Sequence, residues 1–519
     1  MSFDTLIDRR RFMHGTAASA LILATPGAAF AEAKPKRGGL LRIGHNGGST
    51  SDSIDPASFA AGPMVTAMLG GVCNNLCEVD ADGNIVPELA ESLEPSADAK
   101  TWVFKLRKGV TFSNGRTLTA EDVIASYNHH RKPDTKSGAK SILAEIADIK
   151  ADGPNAVVFT LKAGNADFPF TTAEYQMIIM PADGTGGIDW RSGVGTGGYA
   201  LVSHEPGVRI QLKRRADYWK PDRAWFDEVD LRTINDSTAR QTALMTGEVD
   251  VINGVDLKTL ALMQRRPGIK IDEVTGTAHY TIPMFADVAP FNDLNVRLAL
   301  KYAINREDMV QKILLGHGRV GNDQPIAPAN RFFAADLPQR AYDPEKANFH
   351  LKQAGLSSLK LDLSTSNAAF NGAVDSAILF QESAAKCGID ITVKREPDDG
   401  YWSDVWLKKP FCFSYWNGRP TEDSMFSLVY AKGAAWNDSH WSNERFNALL
   451  IEARASLDTK KRAEMYREMQ ALCSDDGATI IPMFANYVDA RSDKVAHGKL
   501  ASNRFLDGWK LIDRWWSAV

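Results

Sequence analysis

Residues 236–252 read DSTARQTALMTGEVDVI. Asp236 opens a helix over 236–245, Gly247 stops it, and Val249-Asp250-Val251-Ile252 follows as a strand. Helix, glycine and strand in direct succession are the grammar of an α/β layer, in which a helix covers the face of the sheet it feeds.

Downstream, the pattern continues. Helices are expected over 295–303 and 306–315, the second capped by Asn305 with Asp308 three residues on. Asp343-Pro344-Glu345 starts another helix, with Asp at the cap and Pro at the first turn, and Gly355 ends it. A strand over 359–364, a helix over 374–386 and a strand over 389–394 make a second α/β region, followed by amphipathic helices over 443–456 and 460–474. Upstream lie strands at 40–44, 101–106 and 156–161, and a helix from Thr119 to about His130. No internal repeat is evident. At 519 residues the chain exceeds one core, and two or three domains are expected. Hydrophobic residues at 44% and charged residues at 24% are those of a globular protein, and a net charge of −4 gives no reason to expect nucleic acid.

Several motifs invite a chemical reading and fail on context. Gly193-Val194-Gly195-Thr196-Gly197-Gly198 fits a dinucleotide fingerprint, but no apolar strand precedes it and strands, not a helix, follow. Asp80-Ala81-Asp82-Gly83-Asn84 resembles a calcium loop with a misplaced glycine and no closing Glu, and reads as a hairpin turn. The five cysteines, Cys73, Cys77, Cys387, Cys412 and Cys473, lack zinc-ligand spacing. The ten histidines are scattered, and His129-His130 is expected at an exposed helix end. No hydrolase signature is present, so no catalytic residue, metal or cofactor is assigned.

The first residues read as an export signal rather than as fold. Asp8-Arg9-Arg10-Arg11 precedes a mild apolar run ending in Ala29-Phe30-Ala31, with Ala31-Glu32-Ala33 as a second cleavage option. Paired arginines point to the twin-arginine route, and hence to a periplasmic protein. No other stretch has the length and apolarity to span a membrane.

The order of segments resembles the extracellular solute-binding proteins of the peptide, opine and nickel class (family five), receptors of ABC importers. The likeness rests on Gly38-Gly39-Leu40-Leu41-Arg42-Ile43-Gly44, Ile54-Asp55-Pro56, Val86-Pro87-Glu88-Leu89-Ala90-Glu91-Ser92, Phe104 to Phe112, Thr119-Ala120-Glu121-Asp122-Val123, Gly195-Thr196-Gly197-Gly198-Tyr199, Gly247-Glu248-Val249-Asp250, Pro290-Phe291-Asn292-Asp293, and Tyr342-Asp343-Pro344-Glu345-Lys346-Ala347, in order. It implies an α/β fold of the type II periplasmic-binding-protein kind, with two lobes closing on ligand and an inserted smaller domain. The implied division is 1–33 signal and linker; 34–75 with 195–285 and 490–519 as domain I; 76–194 as domain II; and 286–489 as domain III. It also implies a small-molecule ligand, a permease and ATPase complex in the inner membrane as partners, a monomeric state, and transport or sensing rather than catalysis. Haem and nickel chelates are further ligands of the class.

Peptide-binding relatives carry an Asp-Pro near residues 414–423 to hold the ligand's amino terminus. Here the stretch is SYWNGRPTED, with Arg419-Pro420 in its place, and it reads as neither strand nor helix. An ammonium needs a carboxylate, whereas a carboxylate needs a guanidinium fork. Arg419 therefore either grips a ligand carboxylate, making the solute acidic or zwitterionic, or pairs with Glu422 or Asp423 and braces its loop. Asp423 remains a candidate for facing the ligand. Five of the twelve tryptophans fall between 402 and 441. Tyr401, Trp402, Tyr415, Trp416, Asn417, Trp436 and Asn437 complete the candidate lining, as aromatic walls with a few aimed polar groups. Trp406 and Trp441 read as core.

Overall fold

The helix read from residues 236–252 forms over Ser237–Thr246 in the computed structural model, which describes residues 35–59 and 62–519. The export signal lies outside the described residues. Asp236 accepts a bond from the Ala239 amide at 2.7 Å, and Gly247 takes the left-handed conformation with φ 78°. The amides of Gly247 and Glu248 both turn back to the last helical carbonyls, so the strand that follows is confined to Val251–Ile252. It lies parallel to Leu40–His45, which is also parallel to Glu228–Thr233 on its other side.

These strands belong to a nine-stranded sheet. Glu228–Thr233 continues outward to Arg209–Arg214 and Tyr199–Glu205, all antiparallel. In the other direction Val251–Ile252 pairs with Thr479–Ser492, which runs antiparallel to Ile269–Pro283. These two strands, of 14 and 15 residues, are long enough to serve two neighbourhoods. At one end they join the strands just described. At the other, Ser414–Trp416 adds to Ile269–Pro283, and Gly318–Val320 adds to Thr479–Ser492. Their register shifts between Val274 and Ala278 and again between Tyr280 and Ile282. Inside the first shift, Gly276 passes so close to the partner strand that a Cβ there would stand 1.9 Å from the Ala485 carbonyl oxygen.

Separate cores form around this sheet. One gathers Leu41, Ile43, Val229, Leu231 and the buried Trp515. A second lies on the four-stranded antiparallel sheet of Ala90–Pro95, Thr101–Leu106, Ala156–Leu161 and Ile146–Ala151, where Phe104, Phe159 and Phe168 pack edge to face beside the helix Ala120–His129. A third fills the βαβ unit in which Leu359–Thr365 and Ile389–Arg395 run parallel beside the helix Ala373–Ala385. A fourth joins the helices Glu444–Ala455 and Thr459–Asp475 through Phe446, Leu449, Tyr466 and Met469.

Two expectations are corrected. Residues 414–423 contain an edge strand, Ser414–Trp416, and a short helix, Glu422–Met425, because the neighbouring strand supplies the pairing that no apolar period announces. His129 and His130 are not an exposed helix end. His130 is buried, with Nδ1 2.7 Å from the Ser137 hydroxyl, and His129 Nε2 stands 2.7 Å from Asp55 Oδ1. Cys77 opens the strand Cys77–Val79, and all five cysteines are free and buried. The 80–84 stretch turns between Cys77–Val79 and Ile85–Pro87 as a hairpin.

Candidate functional site

Where the two long strands cross from one set of neighbours to the other, Thr275 and Thr277 of Ile269–Pro283 face a cavity of about 390 Å³. Its walls come from distant parts of the chain: the 79–83 hairpin and residues 170–174, Thr275 and Thr277 of the long strand, residues 328–331 and 418–422, and residues 499–504. Gly418 fits against the long strand, since a Cβ there would sit 1.8 Å from Thr277 Oγ1. This close seat fixes the position of the next residue, Arg419.

Most charges around the cavity are already matched. Arg504 Nη2 meets Glu174 Oε2 at 3.2 Å, and its guanidinium lies over the rings of Tyr175 and Trp509. Arg331 bonds Asp167 at 2.8 Å, and Lys499 pairs with Asp82. Asp80 accepts the amides of Asp82 and Asn84 and so shapes its own turn. Buried Glu422 accepts the Phe332 amide at 2.7 Å. Burial raises its pKa.

Arg419 is different. Its contacts are long ones from Nη1 to the carbonyl oxygens of Asn417 and Gly418, at 3.4 and 3.5 Å. Among the described residues no carboxylate stands within ion-pair distance of it. Glu422 is committed to Phe332, and Asp423 to Arg454 at 3.0 Å. Burial lowers the Arg419 pKa, with Glu174 acting in the opposite sense. A half-buried guanidinium without a partner has donors to offer a ligand. Arg319, exposed on Gly318–Val320, lines the same cavity and likewise has no acidic partner among the described residues.

The other candidates separate into three places. Tyr401 is 1% exposed and donates to the Phe413 carbonyl at 2.7 Å, which places it in a core rather than on the cavity. Asp423 is buried on Arg454, its pKa raised by burial to about 6. Asn437 spends its amide on the carbonyls of Ala431 and Trp441, and so shapes a loop. The second group is aromatic. Along Ser414–Trp416 the alternation turns Tyr415 outward and Trp416 inward. Trp416 and Trp406 both donate to Asp438 Oδ2, at 3.3 and 3.1 Å. Around them Trp402, Tyr415 and Trp436 remain 40%, 37% and 44% exposed, and Trp402 meets Tyr415 edge-on at 5.6 Å while Trp436 lies 5.8 Å from Trp416. This aromatic shelf adjoins the Arg419 loop without lining the cavity. Trp441 is buried, as its core reading expects. Third, Asn417 is exposed in the Arg419 loop itself.

Arg319, Arg331, Lys499, Arg504 and Glu174 were not among the residues singled out from the sequence. Each sits in an ordinary local context, and the cavity exists through their convergence.

Among proteins of known role, the dipeptide-binding protein of Escherichia coli is 27% identical over 474 residues, covering 83% of this chain and 86% of that one. The heme-binding protein A of Haemophilus influenzae is equally similar, 27% over 460 residues, covering 81% and 82%. Among solved structures, the periplasmic binding protein DppA of Helicobacter pylori, in complex with the peptide STSA, superposes with a TM-score of 0.73 at 25% identity, covering 93% of this chain and 99% of that chain. Among the described residues no helix is long and apolar enough to cross a membrane. Residues 84–438, more than half of the chain, match the bacterial extracellular solute-binding proteins, family 5, and the protein belongs to that family.

Proposed function

We propose that this protein is a periplasmic receptor that closes two lobes on an acidic or zwitterionic solute and presents it to the permease and ATPase complex of an ABC importer, without altering it. The observation that carries the choice of solute is Arg419, a guanidinium in the cavity wall with no carboxylate partner among the described residues. Relatives named for dipeptides and for heme are equally similar, so overall likeness does not select the ligand. The charge at the cavity wall favours a carboxylate.

The division reads as domain I (34–75, 195–285 and 490–519), domain II (76–194) and domain III (286–489); the core around Phe104 and Phe159 supports domain II, while the core of Leu41 and Val229 also takes in Ala125, Ile178, Met180 and Ile188 from it. Closure then turns on the two long strands near the register shift at 274–278. Residues 8–31 support export, the twin-arginine route included, and a monomer suffices for the site because its walls come from one chain. A thermal-shift screen with peptides, opines, sugar acids and metal chelates tests the reading. A ligand bound to the native state alone stabilises it by RT ln(1+[L]/Kd), about 2.7 kcal/mol at a hundredfold excess over Kd. Stabilisation by metal chelates or neutral solutes alone would count against an acidic ligand.

A further inference from the structure

We propose that the solute carries two anionic groups, one taken by Arg419 and the other by Arg319 across the cavity. The inference rests on the receptor reading and deepens it. The sheet puts the two arginines at opposite edges of one surface. Trp416 pairs with His279, His279 with Phe484, and Phe484 with Arg319, so four residues from four adjacent strands form a single row. Residues paired directly across antiparallel strands point to the same face. Thr277, two residues before His279, shows that this face looks into the cavity, since it lines the wall and holds Gly418. Arg419 follows Gly418 at one edge of the row, and Arg319 stands at the other.

With neighbouring strands about 4.8 Å apart, three spacings separate the ends of the row by about 14 Å between backbones. Arg419 lies three residues beyond Trp416, and it and Arg319 both line the one cavity of about 390 Å³, room for a short chain or one ring between them. Between the ends of the row His279 and Phe484 are buried beneath the cavity wall, their rings 5.2 Å apart, and present no charged group to a ligand. The remaining cations of the wall, Arg331, Lys499 and Arg504, each hold a carboxylate already. The carboxylates not so paired, Asp80 and Glu422, accept backbone amides. Two forks are left over, and a dianion fills both. Opine-type iminodiacids and α,ω-dicarboxylates share this chemistry.

Calorimetry on the whole purified protein tests it, with succinate through suberate, an N-(1-carboxyethyl) amino acid, the monoamide of each, and a neutral dipeptide. At least one dianion is expected to bind about tenfold or more tighter than its monoamide, the worth of one charge-assisted bond. Arg319→Gln is expected to erase that ratio, and Arg319→Lys to restore part of it. The inference is overturned if no dianion binds more tightly than its monoamide, or if Arg319→Gln leaves the ratio intact. Scattering on the same samples separates the two readings. Dipeptide binding with compaction, and no dianion preference, removes the two-fork site and keeps the receptor. A dianion preference that depends on Arg319, without compaction, keeps the two-fork site and counts against closure.

Discussion

Arg419 follows a glycine that has no room for a side chain, and that placement gives its substitution a readable signature. Arg419→Met is expected to weaken an acidic ligand about tenfold or more, one charge-assisted bond being worth roughly 1.5–3 kcal/mol. It should cost little for the uncharged amide of the same ligand. Calorimetry on two proteins and two ligands isolates the coupling. Equal losses for acid and amide would mean that Arg419 merely shapes its loop. At His130 a titration carries the test. Burial lowers its pKa from 6.5 to about 4, with His129 acting in the same sense and Gln176 and Asp55 in the opposite one. The folded state therefore holds a neutral ring where the unfolded chain takes a proton. The stability this contributes is complete above pH 6.5 and is lost as pH falls toward 4, up to roughly 3 kcal/mol. Asp438 and Asp489, raised by burial to about 6 and about 7, act in the opposite sense, so the whole-protein curve mixes signs. The difference between wild type and His130→Gln removes that mixture. In urea titrations it should shrink from pH 6.5 to pH 4 and stay flat above 6.5; a difference independent of pH would mean that the ring takes its proton as readily in the fold as in the unfolded chain.

Among the elements, the long antiparallel pair Ile269–Pro283 and Thr479–Ser492 carries the most consequence, because both ends of the sheet depend on it. Gly276 is the tightest point of the crossing, and a methyl group there meets backbone rather than a movable side chain. Gly276→Ala is expected to cost about 1–3 kcal/mol, the range for forced overpacking, and to lower the melting temperature accordingly. An unchanged melting temperature would show that the strands separate freely there. Elements of this kind divide into those written locally and those that are not. The helix Ser237–Thr246 was legible because cap and stop lie within its own dozen residues, as were Pro344–Gln353, Glu444–Ala455 and Thr459–Asp475. Ser414–Trp416 was not legible, because an edge strand of three residues takes its hydrogen bonds from a partner more than a hundred positions away. The same distance hid the full length of the two long strands, whose irregular register blurs the period of two.

Across the whole molecule, the site was half visible for the same reason. Arg419 stood out where a peptide receptor would place an acid, and the density of aromatic residues marked the neighbourhood. Neither told that Tyr401 faces a core while Trp402 faces solvent, nor that Arg319, Arg331 and Arg504 would meet over Thr277. Those facts belong to the assembled chain, and so does the last prediction. With the proposed two-lobe closure, a cavity walled by segments from residue 79 to residue 504 would link ligand contact to the angle between lobes. A ligand that touches several walls binds the closed form better than the open one and shifts the population toward it. Small-angle scattering with and without a tight ligand should therefore show a smaller radius of gyration in the bound state, in proportion to occupancy. Because contacts that hold a solute equally throughout accelerate no reaction, the same ligand should be recovered intact by mass spectrometry after prolonged incubation. A radius of gyration unchanged at saturation would mean the lobes do not close on that ligand. Product that tracks the protein through purification would mean the cavity acts on what it holds.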